Sequence, residues 1–318
     1  SDEEPAVLRY LLSRVVSLLI TLFIIMTLTF FLMHAVPGGP YDFEEQDLNP
    51  EIIKMLEAKY HLNDPVWKQY VDFLRGVFTL DLGPSFYYEG RTVTELVRQG
   101  FPITVRLAVA SLVLVFVASV TMGILAAVRR NKITDRIIMF ISTLGRTIPS
   151  FVLATLFIYF FSYRLGWFPI YGVGTFMHYI LPALALSLAT IGRLTRLNRA
   201  AMLDVINQDY IRTAYAKGVA PPKVMLKHAL KNASIPMVTV LGARVATLLT
   251  GSFVIERIFA MPGIGRYLVQ SIGNRDYPTI MGITIFYSII LLVSMLVVDI
   301  LYGWIDPRVR IQSKGSTR

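Results

Sequence analysis

Between Val15 and Met33 the chain runs for 19 residues without a charge. As a helix rising 1.5 Å per residue, that run is roughly 28 Å long, close to the hydrocarbon thickness of a bilayer. Three further uncharged stretches are of similar length. Leu107–Val128 has 22 residues, Ile280–Val298 has 19, and Thr147–Tyr163 has 17 with an upstream apolar extension through Ile137–Leu144. Two others complete the series. Tyr179–Gly192 is only 14 residues long and contains Pro182, while Ala233–Ile255 is long enough but carries Arg244 near its middle. Counting all six predicts an all-α integral membrane protein. The bulk composition agrees, since 16% charged residues is well below the roughly 25% of soluble domains.

The basic residues test the span count. Arg9 and Arg14 precede the first run, and Arg129, Arg130, Lys132 and Arg136 separate the second from the third. The segment 193–231 carries eight basic residues, and Arg308, Arg310, Lys314 and Arg318 follow the last run. With six spans all four clusters fall on one face, which the positive-inside rule makes cytoplasmic, and both termini fall there too. Five spans would scatter them. The same placement accounts for the net charge of +10 without a nucleic-acid partner. The first run is too long for a signal peptide, and Pro37-Gly38-Gly39-Pro40 after it lacks a small-residue cleavage pattern.

These boundaries divide the chain into an N-terminal transmembrane helix (1–35), an insertion (36–100), a five-helix core (101–304) and a cytoplasmic tail (305–318). The insertion, with 11 acidic and 6 basic residues, has ordinary soluble composition and lies on the extracytoplasmic side. Asn49-Pro50 and Asp64-Pro65 are helix-start signals, predicting short helices over Glu51–Tyr60 and Val66–Val77.

Catalysis finds little support. The chain has no cysteine, which removes thiolate chemistry and cysteine metal sites. His34, His61, His178 and His228 are dispersed, with no metal-binding pair. There is neither a phosphate-binding G-x-x-x-x-G-K-[ST] loop nor a G-x-S-x-G elbow. Energy for any transport must come from a partner or an ion gradient.

The most informative stretch lies between the fourth and fifth spans: Asp209-Tyr210-Ile211-Arg212-Thr213-Ala214-Tyr215-Ala216-Lys217-Gly218. Asp209 is a suitable N-cap, Gly218 a suitable C-cap, and Lys217 a cation at the negative end of the helix dipole. Such a short helix is unstable alone in water. Apolar residues at helical spacing (Ile206, Tyr210, Ala214 and Ile211, Tyr215) mark it as one that docks against something.

Arg212-Thr213-Ala214, followed after three residues by Gly218, resembles the Glu-Ala-Ala-x-x-x-Gly coupling segment of ABC importer permeases. Arg replaces the Glu, as is usual in the oligopeptide and dipeptide branch, and Pro236 lies further downstream than in many sugar permeases. His61-Leu62-Asn63-Asp64-Pro65, Leu80-Asp81-Leu82-Gly83-Pro84-Ser85, Phe259-Ala260-Met261-Pro262-Gly263-Ile264-Gly265, Asn274-Arg275-Asp276-Tyr277-Pro278 and Asp306-Pro307-Arg308 resemble the first, B-type, subunit of that branch. The likeness covers nearly the whole chain. It implies a type I importer permease that is not itself an enzyme. It implies pairing with a second homologous permease subunit, two ATP-binding cassette ATPases that carry ATP and Mg, and an extracytoplasmic substrate-binding lipoprotein, all in the cell membrane. No cofactor is implied on this chain. The segment around 204–218 would be the ATPase-coupling site, through Asp209, Tyr210, Arg212, Thr213, Ala214, Lys217 and Gly218. Oligopeptides or dipeptides are the implied cargo; relatives of the branch also carry nickel, glutathione, haem or oligosaccharides.

Other features stay open at this stage. A charge inside a span costs roughly 3 kcal/mol unless it faces protein or water, so Arg244 either lines the pathway and meets peptide carboxylates or is paired within the protein. Ser119, Gly123, Ala127 and Gly242, Ala246, Thr250 recur every fourth residue, as close helix packing in lipid favours. A secondary transporter would show inverted repeats or paired broken helices, and an intramembrane hydrolase a nucleophile–base or metal pair; the sequence displays none of these.

Overall fold

A computed structural model of the chain describes residues 3–36, 55, 61–220, 223–233, 237, 240–241, 245, 247–249 and 252–305. Among them the order is α1 (Glu3–Ala35), α2 (Val66–Thr79), α3 (Val93–Val128), α4 (Ile133–Thr147), α5 (Ser150–Phe157, continued by a π-helical turn Ile158–Arg164), α6 (Met177–Ile206) and α7 (Asp209–Ala216). A π-helical segment Val224–Ala229 then leads into α8 (Leu230–Ala233), followed by α9 (Phe253–Ile258), α10 (Ile264–Gly273) and α11 (Tyr277–Ile305).

Four of these helices, α1, α3, α6 and α11, are each long and apolar enough to cross a membrane. The expected third span is different. It is two helices, α4 and α5, bent by 106°. Pro149 is the cause: its ring pushes the preceding residue out of the helical region, and Ile148 is extended at φ −83°, ψ 126°. The fifth expected span, Ala233–Ile255, lies about half outside the described residues, and Arg244, the Gly242-Ala246-Thr250 repeat and nearly all of the expected helix over Glu51–Tyr60 lie outside them. The second insertion helix is present as α2, ended by Leu80 in the left-handed region at φ 58°.

Hydropathy and burial run in opposite directions along the spans. α1, with mean hydropathy 2.7, has 11% of its most apolar window buried in the protein, whereas α6, at 1.3, has 50% buried. A helix facing lipid must be apolar all round, while one covered by protein can afford polar groups that find partners. The uncharged run Tyr179–Gly192 stops at Arg193, yet α6 continues to Ile206, with Pro182, Ser187, Thr195 and Asn198 on its buried positions.

The chain forms two compact units, one from Ser1–Ile103 and Pro262–Leu292, the other from Thr104–Met261 and Val293–Arg318. In the first, Phe30 packs with Tyr277, Ile280 and Met281, and Val93 and Val97 pack with Ile264, Ile283 and Tyr287. Gly100 lets α3 approach α10 closely, since a Cβ there would stand 2.8 Å from the Ile264 nitrogen. Asp276, fully buried, caps α11. It accepts hydrogen bonds from the Ser85 hydroxyl, from the Phe86 N–H at 3.0 Å and from the Thr279 hydroxyl at 2.7 Å, tying the loop after α2 to the start of α11. Tyr88 donates to Gln270 at 2.7 Å, and burial, reinforced by Tyr267, pushes its phenol up to about 12.

In the second unit α4 and α6 meet through glycines. A Cβ on Gly192 would fall 2.2 Å from the Ser142 carbonyl oxygen, and one on Gly145 3.1 Å from that of Leu188. Gly123 faces Asn198, whose amide donates to the Ser119 and Val120 carbonyls at 3.4 and 3.3 Å. The Ser119-Gly123-Ala127 repeat is therefore packed within the chain. Glu256, also fully buried, accepts from Thr104 at 2.8 Å and Ser252 at 2.5 Å.

Candidate functional site

The segment singled out in the sequence is a helix, α7, with both ends defined. Its N-cap is Gln208, extended at φ −74°, ψ 148°, and Asp209 is the first helical residue. The expected cap is thus displaced by one position. Asp209 remains an acid in the first turn, where the helix dipole favours it; its side chain is exposed and lies 3.6 Å from Arg212. Lys217 is the C-cap residue and Gly218 lies one beyond it, at φ +73°. The Gly218 N–H bonds the Tyr215 carbonyl at 2.9 Å and the Val219 N–H bonds the Ala214 carbonyl at 3.2 Å. That pair is a Schellman motif, which satisfies the last carbonyls of the helix and requires a left-handed residue where Gly218 stands.

One side chain anchors this helix. Ile211 is 1% exposed and packs in a cluster with Ala127, Met202, Val224, Ala229 and Ala233, supported by half-buried Ala214 and Val219. Four different elements, α3, α6, the Val224–Ala229 turn and α8, therefore converge on one face of α7. The opposite face carries Asp209, Arg212, Thr213 and Ala216, all exposed. Tyr210 and Tyr215 flank it, each about two-fifths exposed, and the Tyr210 hydroxyl accepts from Asn232 at 2.8 Å. Of the residues expected in the site, Asp209, Tyr210, Arg212, Thr213, Lys217 and Gly218 are brought together on the solvent side, while Ala214 turns inward. Ile211 was not expected in the site; the apolar spacing contained it without distinguishing inward from outward positions.

The helix is fixed to the end of a rigid rod. Residues 193–206 of the expected loop are in fact the last turns of α6, a continuous helix of 30 residues, so only Asn207 and Gln208 separate α6 from α7. Seven residues before α6 ends, Arg199 grips Asp135 at the start of α4 with two bonds of 2.7 Å, and Asp135 also accepts from the Asn131 N–H at 2.9 Å. This bidentate, largely buried pair joins the α3–α4 loop to α6. No local pattern signals it, because both partners sit in segments dominated by basic residues and their proximity depends on the α4–α6 packing.

A family profile described as the inner membrane component of binding-protein-dependent transport systems matches residues 119–311, and its N-terminal companion matches residues 7–108. The chain belongs to this permease family. It is 45% identical over 307 residues to the dipeptide transport system permease protein of Bacillus subtilis, covering 96% of this chain and 99% of that one. It is 40% identical over 305 residues to the oligopeptide transport system permease protein of Haemophilus influenzae, covering 95% and 99%. Among solved structures, inward-facing forms of the MetNI methionine ABC transporter match 66% of this chain and 96% of theirs, with a TM-score of 0.55 at 20% identity. An amino acid ABC transporter matches 65% and 93%, with a TM-score of 0.50. The fold is thus that of type I ABC importer permeases, and the protein is a multi-pass membrane permease subunit rather than an enzyme. Among the described residues no group of histidines and carboxylates is placed to hold a metal ion.

Proposed function

We propose that this permease is the pathway subunit of an importer for oligopeptides or dipeptides, powered by separate ATPases through α7. The observation that carries the coupling role is the division of α7 into one face buried around Ile211 and another left exposed at Arg212, Thr213 and Tyr215. A helix held through one face at the end of a 30-residue helix suits the transfer of motion. Displacing its exposed face moves α6, and the Arg199–Asp135 pair hands that motion to α4.

In this reading Asp209, Tyr210, Arg212, Thr213, Lys217 and Gly218 form or shape the surface that seats in a cleft of the ATPase, with Ala214 behind them. A second, homologous permease completes the pathway, and an extracytoplasmic binding lipoprotein delivers cargo near the 36–100 insertion. In the same reading α7, both termini and the 305–318 tail lie in the cytoplasm, which the basic clusters support. Arg244 lines the pathway and meets peptide carboxylates; wild-type uptake by both Arg244→Ala and Arg244→Lys removes that part. The peptide cargo is supported by the relatives' names together with similarity along nearly the whole chain.

The test is uptake of a labelled dipeptide and a labelled oligopeptide by proteoliposomes holding the full importer. Combined Arg212→Glu and Tyr215→Ala substitutions, both at exposed positions, abolish ATP-dependent uptake while leaving the permease folded. Unchanged uptake overturns the coupling role. Uptake of neither peptide by the unsubstituted importer overturns the cargo assignment.

A further inference from the structure

The helix α2 was expected in a soluble cap, yet it is bonded to α1 at membrane depth. The Tyr70 hydroxyl pairs with the Thr27 hydroxyl at 2.7 Å, and Gln69 with His34 at 3.1 Å. Tyr70 and Phe73 stack around Phe30, with ring centroids 5.1 and 5.4 Å away. Thr27 lies six residues inside the Met33 end of the uncharged run, which is roughly 9 Å along a helix. A segment touching α1 there is beside the hydrocarbon, not above it.

What α2 shows on its outer side fits that depth. Trp67, Val71 and Phe78 fall on one stripe at helical spacing, next to the stripe that packs on α1, and are 68%, 53% and 78% exposed. Lys68, Asp72 and Arg75 occupy the other exposed side. In water such an apolar stripe would be costly, at roughly 25 cal/mol for each Å² left wet. On α1 itself Phe23, Leu28, Phe31 and Leu32 are likewise exposed, as side chains facing lipid are.

We propose that α2 is an interfacial helix whose Trp67–Val71–Phe78 face lies among the acyl chains of the leaflet around the Met33 end of α1. Its polar side remains at the headgroups, the arrangement of amphipathic helices that lie in a membrane plane. The insertion is thereby fastened to lipid at its second helix, which holds the loop 81–92 and its Asp276 latch at a fixed height above the bilayer.

The chain contains no cysteine, so single nitroxide labels can be introduced at Trp67→Cys, Phe78→Cys and, as a polar-side control, Arg75→Cys. The full-length chain in lipid nanodiscs is read for collision with oxygen, which concentrates in hydrocarbon, and with a water-soluble nickel chelate. Labels at 67 and 78 show oxygen-to-nickel collision ratios several-fold above the label at 75. Nickel access at 78 equal to that at 75 puts the face in water and overturns the proposal. Exclusion of both agents puts it against protein, and also overturns it. The same labels are read in the importer assembled with cysteine-free partners, where loss of oxygen access would assign the face to a partner and refute lipid contact.

Discussion

Gly218→Ala isolates the backbone geometry of α7 from every side-chain contact. Gly218 stands at φ +73°, and a Cβ added there would meet nothing within 4 Å. The substitution therefore creates no clash; its cost is the left-handed conformation alone, about 1–2 kcal/mol for an L-residue. That energy is charged against the Schellman turn, which a helix of 8 residues needs in order to keep its last carbonyls satisfied. A penalty of this size raises the open population of the last turn by roughly 5- to 30-fold. Hydrogen exchange at the amides of Gly218's position and Val219, which close that turn, should accelerate by the same factor in the full-length protein. ATP-driven uptake should fall with it, while thermal stability of the membrane helices stays within experimental error. Gly273→Ala is the control, because Gly273 lies in a right-handed helix with equally open surroundings. There, alanine should be neutral or slightly stabilising. Equal exchange rates in Gly218→Ala and the parent protein would refute the claim that this turn depends on glycine.

The Asp135–Arg199 pair should behave as a buried ion pair: Arg199→Ala leaves a carboxylate in a largely buried site, at about 3–5 kcal/mol. The double variant Asp135→Ala/Arg199→Ala should be less destabilised than the sum of the singles in a thermal-melt cycle. Gly192→Ala places a methyl 2.2 Å from a backbone carbonyl of α4, so α4 and α6 must separate, a loss of about 1–3 kcal/mol visible as a lowered melting temperature. Tyr88 should be among the last phenols to ionise. Its pKa, pushed up to about 12 from 10.0, means its contribution to stability is complete below pH 10.0 and is lost as pH rises through the folded value. Tyr88→Phe should delete a late step from the alkaline absorbance titration.

How much of this was readable from the chain alone depended on the range of the interactions involved. Uncharged runs announced α1, α3 and α11 directly, because lipid selects for composition along a single helix. Tyr179–Gly192 was harder, since α6 is shielded by protein, with Ser187 and Asn198 bonded to carbonyls of α3, and Arg193 ends the uncharged run. Pro149 carried the signal for the α4–α5 bend, but an apolar window averages over a proline and fused the two helices into one span. In α7 the caps were placed within one residue, as local capping chemistry allows. Ile211 was harder to single out: which of five regularly spaced residues turns inward is decided by α3, α6 and α8. Asp276 and Ser85, or Asp135 and Arg199, are far apart in sequence, and no local pattern brings them together.

The most direct measurement concerns α7 and the ATPase. A photo-crosslinking amino acid replaces Arg212 or Tyr215 in the assembled importer, and the adducts are identified by mass spectrometry. Crosslinks from both positions to an ATPase subunit are expected, with a change in yield between the nucleotide-free and ATP-bound states. Crosslinks to the extracytoplasmic binding protein, or none to the ATPase in either state, would contradict the coupling role.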